Sequence, residues 1–259
     1  MTPEEAAQRL AADPGRTALC CDFDGTLAPI VDDPADSALP EGTREALWLL
    51  ARRLGRVALV SGRPAGFLLE RAAIEGIALY GLYGLEEAEA DGTVRPHPDV
   101  APWEDAVGEA KAWLATELDG HPGIVIEDKG RSVAVHWRHA LDHARAELIV
   151  GVTVDTIAEA TGLTAEPGKL VAELRPPVPV DKGDVVARVA ADAAVVAYAG
   201  DDRGDIPAFA AARRRGGIAI GVDHGVETAD EVRAACDVLL DGVAAFGTWL
   251  DGLAARLAP

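Results

Sequence analysis

Residues 17–26 read Thr-Ala-Leu-Cys-Cys-Asp-Phe-Asp-Gly-Thr. The first five form a short apolar run that predicts a buried strand, and an acidic turn follows directly. Ligands of open α/β sheets bind beyond the carboxyl ends of the strands, which is where Asp22 and Asp24 are expected to lie. Gly25 allows the chain to turn sharply there. A solvated turn is the alternative for this stretch alone, whereas a calcium loop is disfavoured because residues 27–30 supply no further ligand.

Beyond this stretch, short apolar runs alternate with helical segments. Such alternation predicts an α/β fold with a Rossmann-like core, in which helices cover both faces of a parallel sheet. The expected strands of this core are 17–21, 56–60, 77–80, 194–199, 217–221 and 238–240. The expected helices are 41–54, 181–190, 206–213 and 243–257, and Pro64 suits the start of another.

Two proline-rich segments, 95–103 and 174–180, interrupt this pattern. Proline removes backbone donors and stiffens the chain, so such segments suit domain boundaries. The expected elements between them are helices 103–118 and 141–161 and strands 123–127, 132–137, 164–167 and 170–174. The sequence therefore predicts a discontinuous core of residues 1–101 and 178–259 and an inserted α+β domain of residues 102–177.

The charge balance limits the classes of partner. The chain has 259 residues and a formal net charge of −19, which argues against nucleic acid, because basic surfaces bind phosphate backbones. An anionic small molecule stays compatible if a metal ion and a few local cations outweigh the overall repulsion. No apolar run is long enough to cross a bilayer, and residues 1–10 lack the character of a signal peptide. We expect a cytoplasmic protein without a membrane partner, and a monomer as the simplest state.

Three further polar clusters follow a predicted strand or open a predicted helix. They are residues 61–63 (Ser-Gly-Arg), 181–183 (Asp-Lys-Gly) and 201–205 (Asp-Asp-Arg-Gly-Asp). Because strand ends and helix starts meet at one edge of a parallel sheet, we expect these clusters to converge with the acidic turn. Hard carboxylate oxygens around a partly hydrated ion are typical of a magnesium site.

Taken in order, the four motifs resemble those of the haloacid dehalogenase (HAD) superfamily of phosphatases. The resemblance covers the whole predicted core and implies the HAD fold. It also implies that Asp22 attacks phosphorus and forms an aspartyl-phosphate. Asp24 would protonate the leaving oxygen and then activate the water that releases phosphate. Covalent catalysis of this kind divides one difficult displacement into two easier ones.

The same resemblance implies a Mg²⁺ cofactor. The ion would be held by Asp22, Asp201 and the backbone carbonyl of Asp24, and Asp205 would orient its ligand shell. A cation is needed there because an anionic nucleophile approaches an anionic phosphate. Asp202 would either support this site from behind or cap a helix, and the sequence favours neither.

Other residues of the same motifs would hold the phosphoryl group. The resemblance assigns the phosphoryl oxygens to Thr26, Ser61 and Lys182. Gly62 and Arg63, which follow Ser61 directly, are expected to contact the substrate as well. All five residues belong to the predicted core.

The inserted domain lies between the Ser61 and Lys182 motifs, as do cap domains of this superfamily that close over the active site. Several segments resemble the trehalose-6-phosphate phosphatases more narrowly. They are 81–86 (Gly-Leu-Tyr-Gly-Leu-Glu), 127–130 (Glu-Asp-Lys-Gly), 136–138 (His-Trp-Arg) and 168–176 (Gly-Lys-Leu-Val-Ala-Glu-Leu-Arg-Pro). Departures occur at Tyr83, where that family often has His, and at residues 204–206, where it often has Thr-Asp-Glu.

This narrower resemblance implies that Glu127, Lys129 and Glu173 contact sugar hydroxyls. Carboxylates accept several hydrogen bonds and suit a polyol whose charge is confined to its phosphate. Arg131 and Lys169 are assigned to substrate binding too, with Lys169 either reaching the phosphate or bracing the cap. The alternatives are a solvated strand face for Glu127 and Lys129 and an ion pair with a neighbouring arginine for Glu173.

The function that these resemblances imply is hydrolysis of trehalose 6-phosphate to trehalose and phosphate, a step of trehalose biosynthesis. One alternative is a phosphatase of the same mechanism that acts on another sugar phosphate, such as sucrose 6-phosphate or a phosphorylated glycoside. A second alternative is a non-catalytic sensor of sugar phosphates that has kept the fold.

Overall fold

A computed structural model describes residues 1–31, 34–89 and 91–258. The chain divides into two compact units, one formed by Met1–Arg95 with Val180–Pro259 and the other by Pro96–Pro179. The described α-helices are α1 Pro3–Ala11, α2 Glu41–Ala51, α3 Ala65–Ala72, α4 Glu104–Glu117, α5 His143–Thr161, α6 Lys182–Val189, α7 Ile206–Arg214, α8 Asp230–Ala235 and α9 Gly242–Arg256. The described strands are β1 Thr17–Cys21, β2 Arg56–Val60, β3 Ile77–Gly81, β4 Glu86–Ala88, β5 Val94–Pro96, β6 Val125–Asp128, β7 Val133–His136, β8 Thr164–Gly168, β9 Val171–Arg175, β10 Val195–Gly200, β11 Ile218–Asp223 and β12 Val238–Asp241.

The first unit is built on a sheet with the strand order β12-β11-β10-β1-β2-β3-β4-β5. The pairs from β12 to β3 are parallel, and β4 is antiparallel to β3. Strand β1 lies between β10 and β2, so the carboxyl ends of these three strands are adjacent. The predicted α/β class with a parallel-sheet core is confirmed.

Apolar residues of β1 alternate between two cores. Leu19 and Cys21 pack in the cluster that contains Leu47 of α2 and Phe246 of α9. The intervening Ala18 and Cys20 pack on the other face, in a cluster shared with α6 and α7. Because both faces are covered, all five residues of β1 are buried, as is usual for a central parallel strand.

The antiparallel edge of this sheet was not predicted. Strand β4 begins Glu86-Glu87, which lacks the apolar character used to find the other strands. Glu86 is nevertheless buried, because its carboxylate accepts a hydrogen bond from the backbone N–H of Ala65 at the start of α3 (2.9 Å). Helices α1 and α8 also lie outside the predicted elements.

The second unit is a four-stranded antiparallel sheet, β6-β7-β9-β8, covered by α4 and α5. Its first residue is Pro96 and its last is Pro179, which differ from the predicted limits of 102 and 177 by six and two residues. The N-terminal limit differs because the 3₁₀ helix Pro98–Trp103 belongs to this unit, and Trp103 packs against its apolar cluster.

The two faces of this second sheet differ in polarity. Val133, Val135 and Leu174 are buried against the helices. Side chains alternate along a strand, so Glu127 and Glu173 project from the opposite face, where both flank Ala134 in the register of the sheet. Among the described residues, no helix is both long and apolar enough to cross a membrane.

Candidate active site

Asp22 is the first residue after β1 and is buried at the carboxyl edge of the first sheet. Its backbone N–H donates to the carbonyl of Ala199 in β10 (2.8 Å), so the parallel pairing continues one step beyond the strand. Burial raises the pKa of Asp22 well above its ordinary value, against the opposing effect of the Lys182 ammonium. The structure therefore fixes this carboxyl by backbone pairing and brings a cation to it.

Lys182 is the first residue of α6 and is only 3% exposed. Its Nζ lies 2.7 Å from Oδ1 of Asp22 and 2.7 Å from Oδ1 of Asp205. The start of α6 is set by Asp181, whose side chain accepts hydrogen bonds from the N–H groups of Gly183 and Asp184. Burial alone would lower the pKa of Lys182, but the carboxylates of Asp205 and Asp22 outweigh burial and hold this pKa well above its usual value.

Asp205 is completely buried, and both of its carboxylate oxygens accept hydrogen bonds. Oδ1 accepts from Lys182 and from the Tyr198 hydroxyl (2.6 Å), and Oδ2 accepts from the backbone N–H groups of Asp201 (2.9 Å) and Asp202 (3.1 Å). These contacts fix the loop that follows β10. Asp202 is exposed and occupies the N-cap position of the 3₁₀ turn Arg203–Asp205.

Asp201 joins this cluster from the same loop. One ligand oxygen from each of Asp22, Asp201 and Asp205 can be chosen so that all three lie within 4.8 Å of one another. Gly25 is needed opposite Asp201: its φ is +80°, and a Cβ there would lie 2.3 Å from Oδ2 of Asp201. Burial, with Asp205 and Asp202 adding to it, raises the pKa of Asp201 to about 8.

The donor set suits a hard divalent cation. Buried carboxylates need a counter-charge, and the Lys182 ammonium alone leaves this cluster with excess negative charge. Oxygen ligands of this kind are those that magnesium and calcium take. The cluster could therefore hold a metal ion.

Thr26 was predicted to hold a phosphoryl oxygen with its hydroxyl or amide. In the structure it is buried, and its hydroxyl donates to Oδ1 of Asp201 (2.9 Å). Its side chain thus orients a carboxylate of the acidic cluster. Ser61, at the end of β2, is buried, and its Oγ accepts from the N–H of Arg63 (3.1 Å).

Asp24 lies outside the three-carboxylate cluster and has its own partners. Arg63 donates to it through Nε (2.7 Å) and Nη2 (2.9 Å), and the Ser37 hydroxyl donates to its Oδ1 (2.7 Å). A two-point contact of this kind fixes the plane of the carboxylate. Arg63 is a predicted substrate-binding residue, and in the structure its guanidinium contacts Asp24. Ser37 was not predicted, because no strand or motif precedes it.

Sequence reasoning also missed His224, which follows β11. Its Nε2 lies 2.7 Å from the carbonyl of Gly25 and 3.7 Å from Oδ2 of Asp201. His224 thereby links the loop after β11 to the turn after β1. Its position beyond the carboxyl end of a parallel strand is the one feature of the sequence that could have indicated a role at the site. A single histidine in a turn belongs to no recognisable motif, so this position alone did not identify it.

Residues predicted to bind sugar in the second unit contact one another and neighbouring side chains on the polar face of its sheet. Lys129 Nζ lies 2.8 Å from Oε2 of Glu173, and the Ser132 hydroxyl donates to Oε1 of the same carboxylate (2.6 Å). Glu127 pairs with Nε2 of His136 (2.7 Å). Glu173 is 7% exposed, so it is held as a buried acceptor.

The other two predicted residues, Arg131 and Lys169, also belong to the second unit. Arg131 pairs with Glu104 at the start of α4. These two residues line a pocket of about 200 Å³ whose wall includes Trp103 and Val107. Lys169 is exposed in the turn between β8 and β9.

Comparison with known proteins gives a consistent result. A family model described as trehalose-phosphatase matches residues 20–238. The trehalose-phosphate phosphatase of Mycobacterium tuberculosis is 35% identical over 243 residues, which are 91% of this chain and 61% of that protein. The chain spans between 16% and 61% of the length of the curated relatives compared.

Solved structures share the fold at lower identity. The C-terminal domain of the Candida albicans trehalose-6-phosphate phosphatase superposes with a TM-score of 0.79 at 18% identity, covering 96% of this chain and 95% of that one. A Bacteroides thetaiotaomicron phosphatase of the HAD superfamily gives a TM-score of 0.57 at 17% identity, covering 90% and 92%. The predicted HAD fold is confirmed.

We predict that magnesium stabilises this protein more at about pH 8 than at about pH 6. Folding raises the pKa of Asp201 from 3.8 to about 8, so the metal-free fold loses stability as the pH rises through that window. At the lower pH, protons compete with the ion for this carboxyl. At the higher pH, a bound cation offsets the loss of folding stability that the ionised carboxylate causes. The measurement is the rise in Tm when magnesium is added to chelator-treated protein at each pH.

Asp201→Asn should shrink the magnesium-induced rise in Tm and its pH dependence. Asp251→Asn, which neutralises an exposed carboxylate of α9, is the charge-matched control and should behave as wild type. An equal magnesium-induced rise in Tm at both pH values, unchanged by Asp201→Asn, would exclude Asp201 as a metal ligand.

Proposed function

Because the chain belongs to the trehalose-phosphatase family, we propose that it is a magnesium-dependent phosphatase that converts trehalose 6-phosphate and water into trehalose and phosphate. The observation that carries the proposal is the contact of Lys182 Nζ with Asp22 (2.7 Å) beside the carboxylates of Asp201 and Asp205. This arrangement presents a carboxylate nucleophile, a fixed cation and a group of metal-binding oxygens at one edge of the sheet.

Asp22 is the proposed nucleophile. Lys182 binds its Oδ1, and Oδ2 has no hydrogen-bond donor among the described residues, so Oδ2 is available to attack phosphorus. A bond forms between this oxygen and phosphorus as the bond from phosphorus to the sugar oxygen breaks. The Lys182 ammonium offsets negative charge as carboxylate and phosphate approach.

Asp24 is the proposed general acid and then the general base. It gives a proton to the departing sugar oxygen and later accepts one from the water that attacks the aspartyl-phosphate. Breakage of the bond between phosphorus and the Asp22 oxygen releases phosphate and restores the carboxylate. Arg63 and Ser37 hold Asp24 in one orientation for both transfers.

The remaining residues prepare the site. Asp22, Asp201 and the backbone carbonyl of Asp24 would hold magnesium. The bound ion would supply charge stabilisation for the displacement at phosphorus. Thr26 keeps Asp201 in place through its hydroxyl, and Asp205 fixes both Lys182 and the loop after β10.

We further propose that the second unit supplies the groups that select the sugar. The Glu173 carboxylate is held by Lys129 and Ser132, and Glu127 is held by His136. Carboxylates that are already oriented lose little conformational freedom when they accept hydrogen bonds from the hydroxyl groups of a polyol. Glu127, Lys129 and Glu173 are therefore assigned to the sugar end of the substrate.

Asp22→Asn is expected to lower phosphate release from trehalose 6-phosphate by at least about a thousandfold, because the amide cannot form the covalent intermediate. Phosphate release should be measured over a panel of sugar phosphates, with magnesium and with a chelator. The fold should stay intact by circular dichroism, and Asp251→Asn should retain activity. Normal turnover by Asp22→Asn would refute the nucleophile assignment.

Glu173→Ala and Glu127→Ala should lose most trehalose 6-phosphate turnover while hydrolysis of a small aryl phosphate continues. The reason is that they remove hydroxyl acceptors and leave the Asp22 cluster unaltered. Glu159→Ala, on the exposed side of α5, is the matched control and should not change the ratio of the two activities. Equal loss on both substrates, or comparable wild-type turnover of several sugar phosphates, would contradict the assignment of these residues to trehalose recognition.

A further inference from the structure

The turn between β3 and β4 contains two consecutive non-glycine residues with left-handed backbones. Leu82 has a φ of +48° and Tyr83 a φ of +60°. L-residues rarely adopt this region, and such conformations persist where the surroundings impose them. Here the N–H of Leu82 donates to the carbonyl of Arg63 and that of Tyr83 to the carbonyl of Ser61, both at 2.9 Å. The turn is thus bound to the loop after β2.

This backbone places the Tyr83 ring beside two glycines of the active site. A Cβ on Gly62 would lie 2.7 Å from Cζ and from the hydroxyl oxygen of Tyr83, so any larger residue at position 62 would require the ring to shift. A Cβ on Gly204 would lie 3.8 Å from Cε1 of the same ring. Gly62 follows β2 and Gly204 follows β10, and these strands flank β1. The ring therefore lies across the strand end that carries Asp22.

The same ring lies next to the buried cation of the site. Lys182 Nζ is 5.9 Å from the centroid of the Tyr83 ring, within the range of cation–π attraction. Lys182 is nearly inaccessible although it adjoins a site that must admit phosphate. An aromatic ring can cover an ammonium without competing for the carboxylates that it bridges.

We propose that Tyr83 is a positioning residue whose ring covers Lys182 and holds its ammonium between Asp22 and Asp205 during phosphoryl transfer. The inference rests on the proposed phosphatase function. It assigns a role to Tyr83, for which the motif of residues 81–86 gives none. The left-handed turn and Gly62 are, in this proposal, the structural requirements for bringing the ring to that position.

Tyr83→Gly removes the ring and relieves the left-handed backbone, whereas Tyr83→Phe keeps the ring. With trehalose 6-phosphate and with a small aryl phosphate, we expect Tyr83→Gly to lower kcat about tenfold and to leave KM within about twofold. Tyr83→Phe should restore most of kcat. The Tm of Tyr83→Gly should stay within a few degrees of wild type, because relief of strain offsets lost packing. A fall of Tm and kcat together, in both variants, would overturn the proposal.

A second readout does not depend on phosphatase activity. The chain has four lysines, and Lys182 adjoins the ring, so acylation by an amine-selective reagent can be followed by mass spectrometry at each lysine. Tyr83→Gly should accelerate acylation of Lys182 at least about fivefold relative to wild type and Tyr83→Phe. Lys111, which pairs with Asp128 in the second unit, is the internal control and should be acylated at an unchanged rate. Unchanged labelling of Lys182 would overturn the proposal. Absence of phosphate release by the wild type would count against the phosphatase function alone, and labelling would still decide the role of Tyr83.

Gly62→Ala provides an independent check on the ring's position. Its Cβ should displace the ring, so Gly62→Ala should accelerate Lys182 labelling in the wild-type background and add nothing to Tyr83→Gly. Additive effects of the two substitutions would show that Gly62 does not act through Tyr83 and would contradict the proposed arrangement.

Discussion

The contact on which the site depends is the Lys182 ammonium between the carboxylates of Asp22 and Asp205. Buried like charges repel each other strongly, and removal of one partner from a buried ion group is costly because the remaining charge has no compensation. The ammonium keeps the two carboxylates together, and Asp181 fixes the helix start from which Lys182 projects. The order of β10, β1 and β2 then brings the strand ends to this cation. The position and the cation partner of Asp22 therefore depend on helix capping and strand order.

The carboxylates of the cluster carry more negative charge than the Lys182 ammonium offsets, and a divalent cation would balance the excess. Asp201 adds a carboxylate that Lys182 does not contact, and burial raises the Asp201 pKa accordingly. Glycines allow the carboxylates to approach the backbone closely. Gly25 leaves room for Asp201, and a Cβ on Gly200 would lie 2.3 Å from the Asp205 side chain. A site built to bind a divalent cation is expected to combine close carboxylates with small neighbours.

Local patterns made the first unit predictable. Strand β1, β2 and the helix that begins at Lys182 follow from apolar runs and capping residues, and parallel topology then places the polar residues after each strand at one edge. Pairings between distant side chains could not be predicted in this way. Arg63 and Asp24 are 39 positions apart in the sequence, so no local pattern predicts their contact. Tyr83 adopts a left-handed backbone that its residue type disfavours. Strand β4 was missed because the buried carboxylate of Glu86 caps a helix where an apolar residue would be expected.

The most direct test of Asp22 as the nucleophile is to trap the covalent intermediate. The protein would be mixed with magnesium and trehalose 6-phosphate, quenched with acid during turnover, reduced with borohydride and digested for mass spectrometry. Reduction of an aspartyl-phosphate converts that aspartate to homoserine, and we expect this change at position 22, with Asp24 and Asp201 unmodified. Phosphate release under the same conditions with Asp22 unmodified, or with the change at another carboxylate, would contradict the central role given to Asp22.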